Sequence, residues 1–160
     1  MAKKRVYVET SVLSYPTARP AKDEFMRACQ QRTALWWERR LHWECFLTTT
    51  VLTEVGRGDP DAAARRLEKA RFLEELPVPP KADFLANLLL AGKLVPKGEP
   101  ADAMHLATAA AHGAHYLLTW NQKHLDNLEL CFRIEELIRS QGLTPARVIT
   151  PDRLLLEEST

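Results

Sequence analysis

The chain has 160 residues, 46% of them hydrophobic and 27% charged, with a formal net charge of +1. Such a composition belongs to ordinary globular proteins rather than disordered or membrane ones, and it provides no whole-molecule field to gather nucleic acid. The most apolar segment, AMHLATAAAHGAHYLLTW, is broken by histidines and a glycine, so no membrane span is expected.

Residues 5–8, RVYV, read as a first strand, and Thr10 and Ser11 as the opening of a short helix before a loop marked by Pro16 and Pro20. From Asp23 to about Leu41, Phe25, Cys29, Trp36 and Trp37 recur at helical spacing and predict an amphipathic helix. CFLTTT is a second strand whose threonines cap the helix VLTEVGRG, ended by Gly56 and Gly58. Asp59 as N-cap and Pro60 at the first helical position open the helix DPDAAARRLEKARFL. A short strand in ELPVP and a helix through DFLANLLLAG, stopped by Gly92, come next; Pro100 then starts a helix that Gly113 ends. HYLLTW is a strand, LELCFRIEELIRSQG a helix, RVIT a last short strand and PDRLLLEE a terminal helical turn. This alternation predicts an α/β fold, a three-layer sandwich around a mainly parallel central sheet, as a single domain over residues 1–160.

Cys29, Cys45 and Cys131 are odd in number and form no CxxC, and are expected as buried thiols rather than a disulfide framework or a zinc site. No GxSxG, P-loop or dinucleotide fingerprint occurs. MAKK leads into a strand without the apolar core of a signal peptide, so a cytoplasmic location is expected.

In open parallel sheets ligands bind beyond the carboxyl ends of the strands, and four polar residues fall there. Glu9 ends the first strand, Glu54 lies one turn into the helix after CFLTT, Asp102 is in the first turn of PADAMHLA, and Asn121 follows HYLLTW. Each has a structural reading of its own: a surface strand end for Glu9, helix-dipole compensation for Asp102, a turn for Asn121. Glu54 fits no capping box, because neither Thr49 nor Thr50 lies three residues before it. Three carboxylates gathered at one edge repel one another unless a cation neutralises them, and all-oxygen ligation suits Mg2+ or Mn2+. Such an ion activates water and offsets charge on a phosphodiester transition state.

VYVETS, TTTVLTEV, PADAMHLATAAAHGAHYLLTWN and KHLDN, in this order and spacing, resemble a PIN domain, most closely the VapC-like toxins of prokaryotic toxin–antitoxin pairs, over residues 5 to about 155. The resemblance implies a metal-dependent endoribonuclease acting on RNA phosphodiesters with Mg2+ or Mn2+, an antitoxin partner bound through the long amphipathic helix, and a homodimer. Glu9, Glu54 and Asp102 then match the metal ligands, Asn121 the fourth catalytic position, and Thr10, Ser11 and Thr119 the hydroxyls behind them. Two positions depart from the family pattern, where Glu9 and Asn121 stand in place of aspartates. The asparagine removes one charge but keeps an amide oxygen, so one firmly held ion and a weaker second are expected. The alternative is a catalytically weakened PIN-fold module that binds RNA or protein; a small-molecule phosphohydrolase is a third class and needs a deeper pocket. His105, three residues after Asp102 and on its helix face, is read as packing or support for the site. His124 and Asn127 are read as holding the loop beneath the site or touching a phosphate, and Asp126 as a spare carboxylate. Lys3, Lys4, Arg5, Arg57, Lys97 and Lys123 are expected as a positive rim for the phosphate backbone.

Overall fold

The computed structural model describes residues 2–122 and 127–158. Five strands, β1 (Arg5–Val8), β2 (Glu44–Thr48), β3 (Glu74–Leu76), β4 (Tyr116–Leu118) and β5 (Arg147–Ile149), form one sheet in the order β3-β2-β1-β4-β5. Every pairing is parallel. The helices are α1 (Thr10–Thr17), α2 (Glu24–Glu38), α3 (Thr49–Val55), α4 (Pro60–Ala70), α5 (Pro80–Ala91), α6 (Pro100–Ala111), α7 (Leu128–Ser140) and α8 (Pro151–Glu158). The arrangement is the expected three-layer α/β sandwich.

Val6, Tyr7 and Val8 are all fully buried. A central parallel strand covered by helices on both faces must be apolar on both, which is why VYV reads as a continuous run rather than an alternation. One core joins these residues to Leu13 of α1, Trp36 of α2, Val51 and Val55 of α3 and Leu154 of α8. A second apolar cluster lies between α5, α6 and α7 and includes Leu85, Leu89, Ala103, Ala107, Ile134 and Ile138. Burying side chains of the size of Trp36 or Leu118 contributes roughly 1.5–3 kcal/mol each.

Side-chain caps close several helix starts, but not that of α3, where the expected threonine cap fails because Thr48, at the N-cap, makes no cap hydrogen bond and turns its hydroxyl to Tyr7. The side chains of Asp23, Asp59 and Asn127 accept from the amides of Met26, Ala62 and Leu130 at the starts of α2, α4 and α7. Asn127 is thus a helix cap, while His124, Asp126 and Lys123 lie outside the described residues.

Several boundaries differ from those the sequence predicts. Pro16 sits inside the last turn of α1, where its fixed φ suits a helix that ends one residue later. The long helix stops at Glu38 and passes through a 3-10 turn, Arg40–His42, into β2. β3 begins before ELPVP and ends before Pro77, whose ring nitrogen has no hydrogen to give the ladder. α5 is capped at Gly92, yet the left-handed residue is Lys93, with φ 57°. Of the thiols, Cys29 is buried, whereas Cys45 and Cys131 are only partly so.

Candidate functional site

The strand order reverses direction at β1, with β2 on one side and β4 on the other, so a crevice opens where the ends of β1 and β4 diverge. The register sets Val8 beside Leu118, and the Glu9 amide donates to the Leu118 carbonyl at 3.1 Å. Glu9 therefore leaves the sheet next to Thr119, although 110 positions separate the two in the chain.

Glu9 is also the N-cap of α1, with extended backbone (φ −86°, ψ 163°). Its Oε1 accepts from the Ser11 amide at 2.9 Å, the Ser11 hydroxyl at 2.5 Å and the Thr119 hydroxyl at 2.7 Å. Oε2 receives no hydrogen bond among the described residues, so the side chain is held by one oxygen and presents the other. Ser11 and Thr119 are themselves fixed: the Ser11 hydroxyl accepts from the Trp120 amide and that of Thr119 from the Asn121 amide, both at 2.9 Å. Trp120 is anchored in turn by its indole N–H to Thr33 at 2.7 Å and by stacking on Tyr15.

Glu54 is carried on α3 directly behind β2. Its Oε1 accepts from the Thr10 hydroxyl at 2.6 Å and from His105 Nε2 at 2.7 Å. Burial by itself would raise this carboxyl's pKa, but the hydrogen bonds from His105 and Thr10 and the nearby Arg57 charge outweigh it and hold the group below the usual carboxylate range. The opposite holds for Tyr7, whose phenol is pushed well above its ordinary value by burial, with the nearby Glu54 and Glu9 charges adding to this and the Thr48 hydrogen bond opposing it.

Glu9, Glu54 and His105 each offer a donor atom, and these three atoms lie within 4.8 Å of one another. The expected three-carboxylate set is therefore met in two of its members, and the third place in this trio is taken by an imidazole. Asp102 is one turn earlier on the same face of α6; its Oδ1 accepts from Asn121 Nδ2 at 3.4 Å. Asp102 and Asn121 line, with Glu9, His105 and Thr119, a cavity of about 400 Å³ that continues between α6, α7 and the β4–β5 edge. Its lining also includes the apolar Leu106, Leu117, Ile134 and Ile138, together with Arg139 and Arg147.

Asn121 Oδ1 is enclosed and makes no hydrogen bond among the described residues. An orphaned amide oxygen, an unfilled Glu9 oxygen and a Glu54 carboxyl held ionised form a donor set that fits a divalent cation with oxygen preference. The positive rim is where sequence and structure part. Lys4 lies at the entry to β1 and Arg5 begins it, at the end of the strand away from Glu9, and a four-residue strand is about 13 Å long. The Arg5 guanidinium lies over the Phe46 ring and donates to the His112 carbonyl, a structural role. Of that rim, Arg57 is near enough for its charge to act on Glu54.

From sequence alone His105 reads as packing or support, and nothing points to Tyr7 or Thr48. The detectable signal was the i, i+3 spacing of Asp102 and His105; the inward aim of Tyr7 follows only from the sheet's order.

No protein-family model matches the sequence, and no curated protein matches it. Among the solved structures similar in fold are the following two. VapBC2 from Rickettsia felis, bound to a DNA fragment from its promoter, superposes with a TM-score of 0.55 at 13% identity, over 91% of this chain and 98% of that one. PAE2754 from Pyrobaculum aerophilum gives a TM-score of 0.52 at 18% identity, over 96% of this chain and 88% of that one. The chain thus shares the fold of these structures, the PIN-like α/β sandwich expected from its sequence.

Proposed function

We propose that this protein is a metal-dependent endoribonuclease, the toxin of a toxin–antitoxin pair, cutting RNA at the crevice between β1 and β4. The observation that carries the reading is the convergence of Glu9 and Glu54, from segments 45 residues apart, on donor atoms within 4.8 Å, beside a cavity that Asp102 and Asn121 also line. Glu9, Glu54 and Asp102 would hold Mg2+ or Mn2+, and the ion would supply a nucleophile at neutral pH and offset charge on the phosphate. Ser11 and Thr119 keep Glu9 turned to the crevice, and Thr10 does the same for Glu54. Asn121 offers its unpaired Oδ1 as an acceptor for a water proton while its amide N–H steadies Asp102. The promoter-bound VapBC2 complex supports an antitoxin as partner, and a homodimer and cytoplasmic location belong to the same reading.

The cavity favours a second reading, a phosphohydrolase of mononucleotides, since 400 Å³ is within the range of small-molecule sites. One assay separates them: turnover of a short RNA and of a nucleoside monophosphate with Mn2+, for the wild type, Asp102→Asn and Glu54→Gln. Cleavage of RNA alone, lost by at least a hundredfold in both variants, supports the nuclease. Preferred hydrolysis of the monophosphate supports the second reading, and RNA binding without any turnover supports a weakened, non-catalytic module.

A further inference from the structure

From Tyr7 of β1 a run of hydrogen bonds crosses the core and ends on Glu54. Tyr7 and Thr48 are fully buried and His105 is 3% exposed. The Thr48 and Tyr7 hydroxyls are 3.1 Å apart, the Tyr7 hydroxyl is 2.7 Å from His105 Nδ1, and His105 Nε2 is 2.7 Å from Glu54 Oε1. An ionised carboxylate only accepts, so Nε2 donates to it. With its proton on Nε2 the ring accepts at Nδ1, so Tyr7 donates there and is left to accept from Thr48. Every group in the run is satisfied in this one direction, from Thr48 through Tyr7 and His105 to Glu54. A tyrosine whose only purpose was packing would need no such chain, since phenylalanine fills the same space without a hydroxyl to satisfy.

We infer that His105 is a positioning residue: it grips Glu54 by Oε1, so that the other oxygen faces a divalent ion, and Tyr7 with Thr48 fixes the imidazole tautomer that makes this grip possible. The inference rests on Glu9 and Glu54 as ion-holding groups. It makes His105 a neighbour of the ion's carboxylate rather than a ligand, although a ring nitrogen of His105 belongs to the same 4.8 Å trio. Hydrogen-bond partners of ligating groups typically change metal affinity by about 10–100-fold when removed.

The test is calorimetric titration of the full chain with Mn2+, which needs no turnover. His105→Leu is expected to weaken Mn2+ binding by about 10–100-fold. His105→Gln, whose amide both accepts from Tyr7 and donates to Glu54, is expected to restore affinity to within about threefold of wild type. Tyr7→Phe frees the tautomer and is expected to weaken binding by about two- to tenfold, the range of one ordinary hydrogen bond. Should His105→Leu fail to fold, the glutamine and phenylalanine variants carry the comparison: rescue by the first with loss in the second supports the inference, and wild-type affinity in Tyr7→Phe overturns it. Pulsed EPR of the Mn2+-loaded protein labelled with 15N-histidine is expected to show no histidine-nitrogen coupling. A coupling present in wild type and absent in His105→Gln would make His105 a ligand and overturn the inference. If wild type binds Mn2+ and every variant binds it equally, only the inference falls; if wild type binds none, the metal-site reading falls with it.

Discussion

Thr119→Val probes the tie between the two halves of the crevice without opening a hole, since valine has the shape of threonine and Thr119 is 4% exposed. The change deletes a donor to Glu9 Oε1 at 2.7 Å and the acceptor of the Asn121 amide at 2.9 Å. A hydrogen bond to a charged group contributes about 1.5–3 kcal/mol, and because Ser11 still supplies two donors to Glu9, the lower end applies, about 1.5 kcal/mol. Stranding the Asn121 amide adds about 1 kcal/mol, for a total loss of about 2.5 kcal/mol. Urea unfolding at pH 7 in EDTA measures it. A cycle with Glu9→Ala isolates the pair: the alanine also removes the α1 cap, at about 1 kcal/mol, but that contribution cancels in the cycle. The expected coupling is about 1.5 kcal/mol by the same reasoning. A loss below about 0.5 kcal/mol, or strict additivity of the two changes, refutes the claim that Thr119 holds Glu9.

Three further expectations follow from the site and its surroundings. Glu54 has its folded-state pKa depressed, so its ionised form stabilises the fold above the unfolded value of about 4.3, and this contribution is lost as pH falls through the folded value. The stability gap between wild type and Glu54→Gln, measured by urea titration in EDTA, should be level from about pH 5 to 7 and shrink below about 4.3; a gap that widens on acidification contradicts the assigned sign. Mn2+ at about 100 times its dissociation constant should add about 2.7 kcal/mol and raise the melting temperature by roughly 5–10 °C, reversed by EDTA, in differential scanning fluorimetry. Lys93→Gly should stabilise by about 0.5–1 kcal/mol because Lys93 holds φ 57°, whereas Gly113→Ala should destabilise by about 1 kcal/mol because Gly113 holds φ 68°, with room for the added methyl 3.9 Å from Arg5 Nη1.

Local chemistry made much of the fold legible. VYV announces a two-sided central strand, and Asp59 with Pro60 is a helix-start signal that needs no tertiary partner. The proximity of Glu9 and Glu54 was also legible, because both follow strands in a parallel sheet. What could not be read depends on which strands are neighbours and which way side chains face. Lys4 and Arg5 are close to Glu9 in sequence yet at the far end of its strand. Tyr7 reaches His105 only because β1 is sandwiched beneath α6, a relation across 98 positions. The thiol of Cys131 lines the cavity because α7 leaves space over β4 and β5, which no cysteine count reports.

Glu9 meets Thr119 across nearly the whole length of the chain. During synthesis, a growing polypeptide displays β1, α1 and even Glu54 long before β4 has left the ribosome, and long-range pairing of this kind is slow to form. An unfinished or prematurely terminated product therefore lacks the hydroxyl and the strand end that orient its first acid. If the proposed ribonuclease reading holds, such wiring would delay competence, at a birthplace rich in RNA, until translation is almost complete.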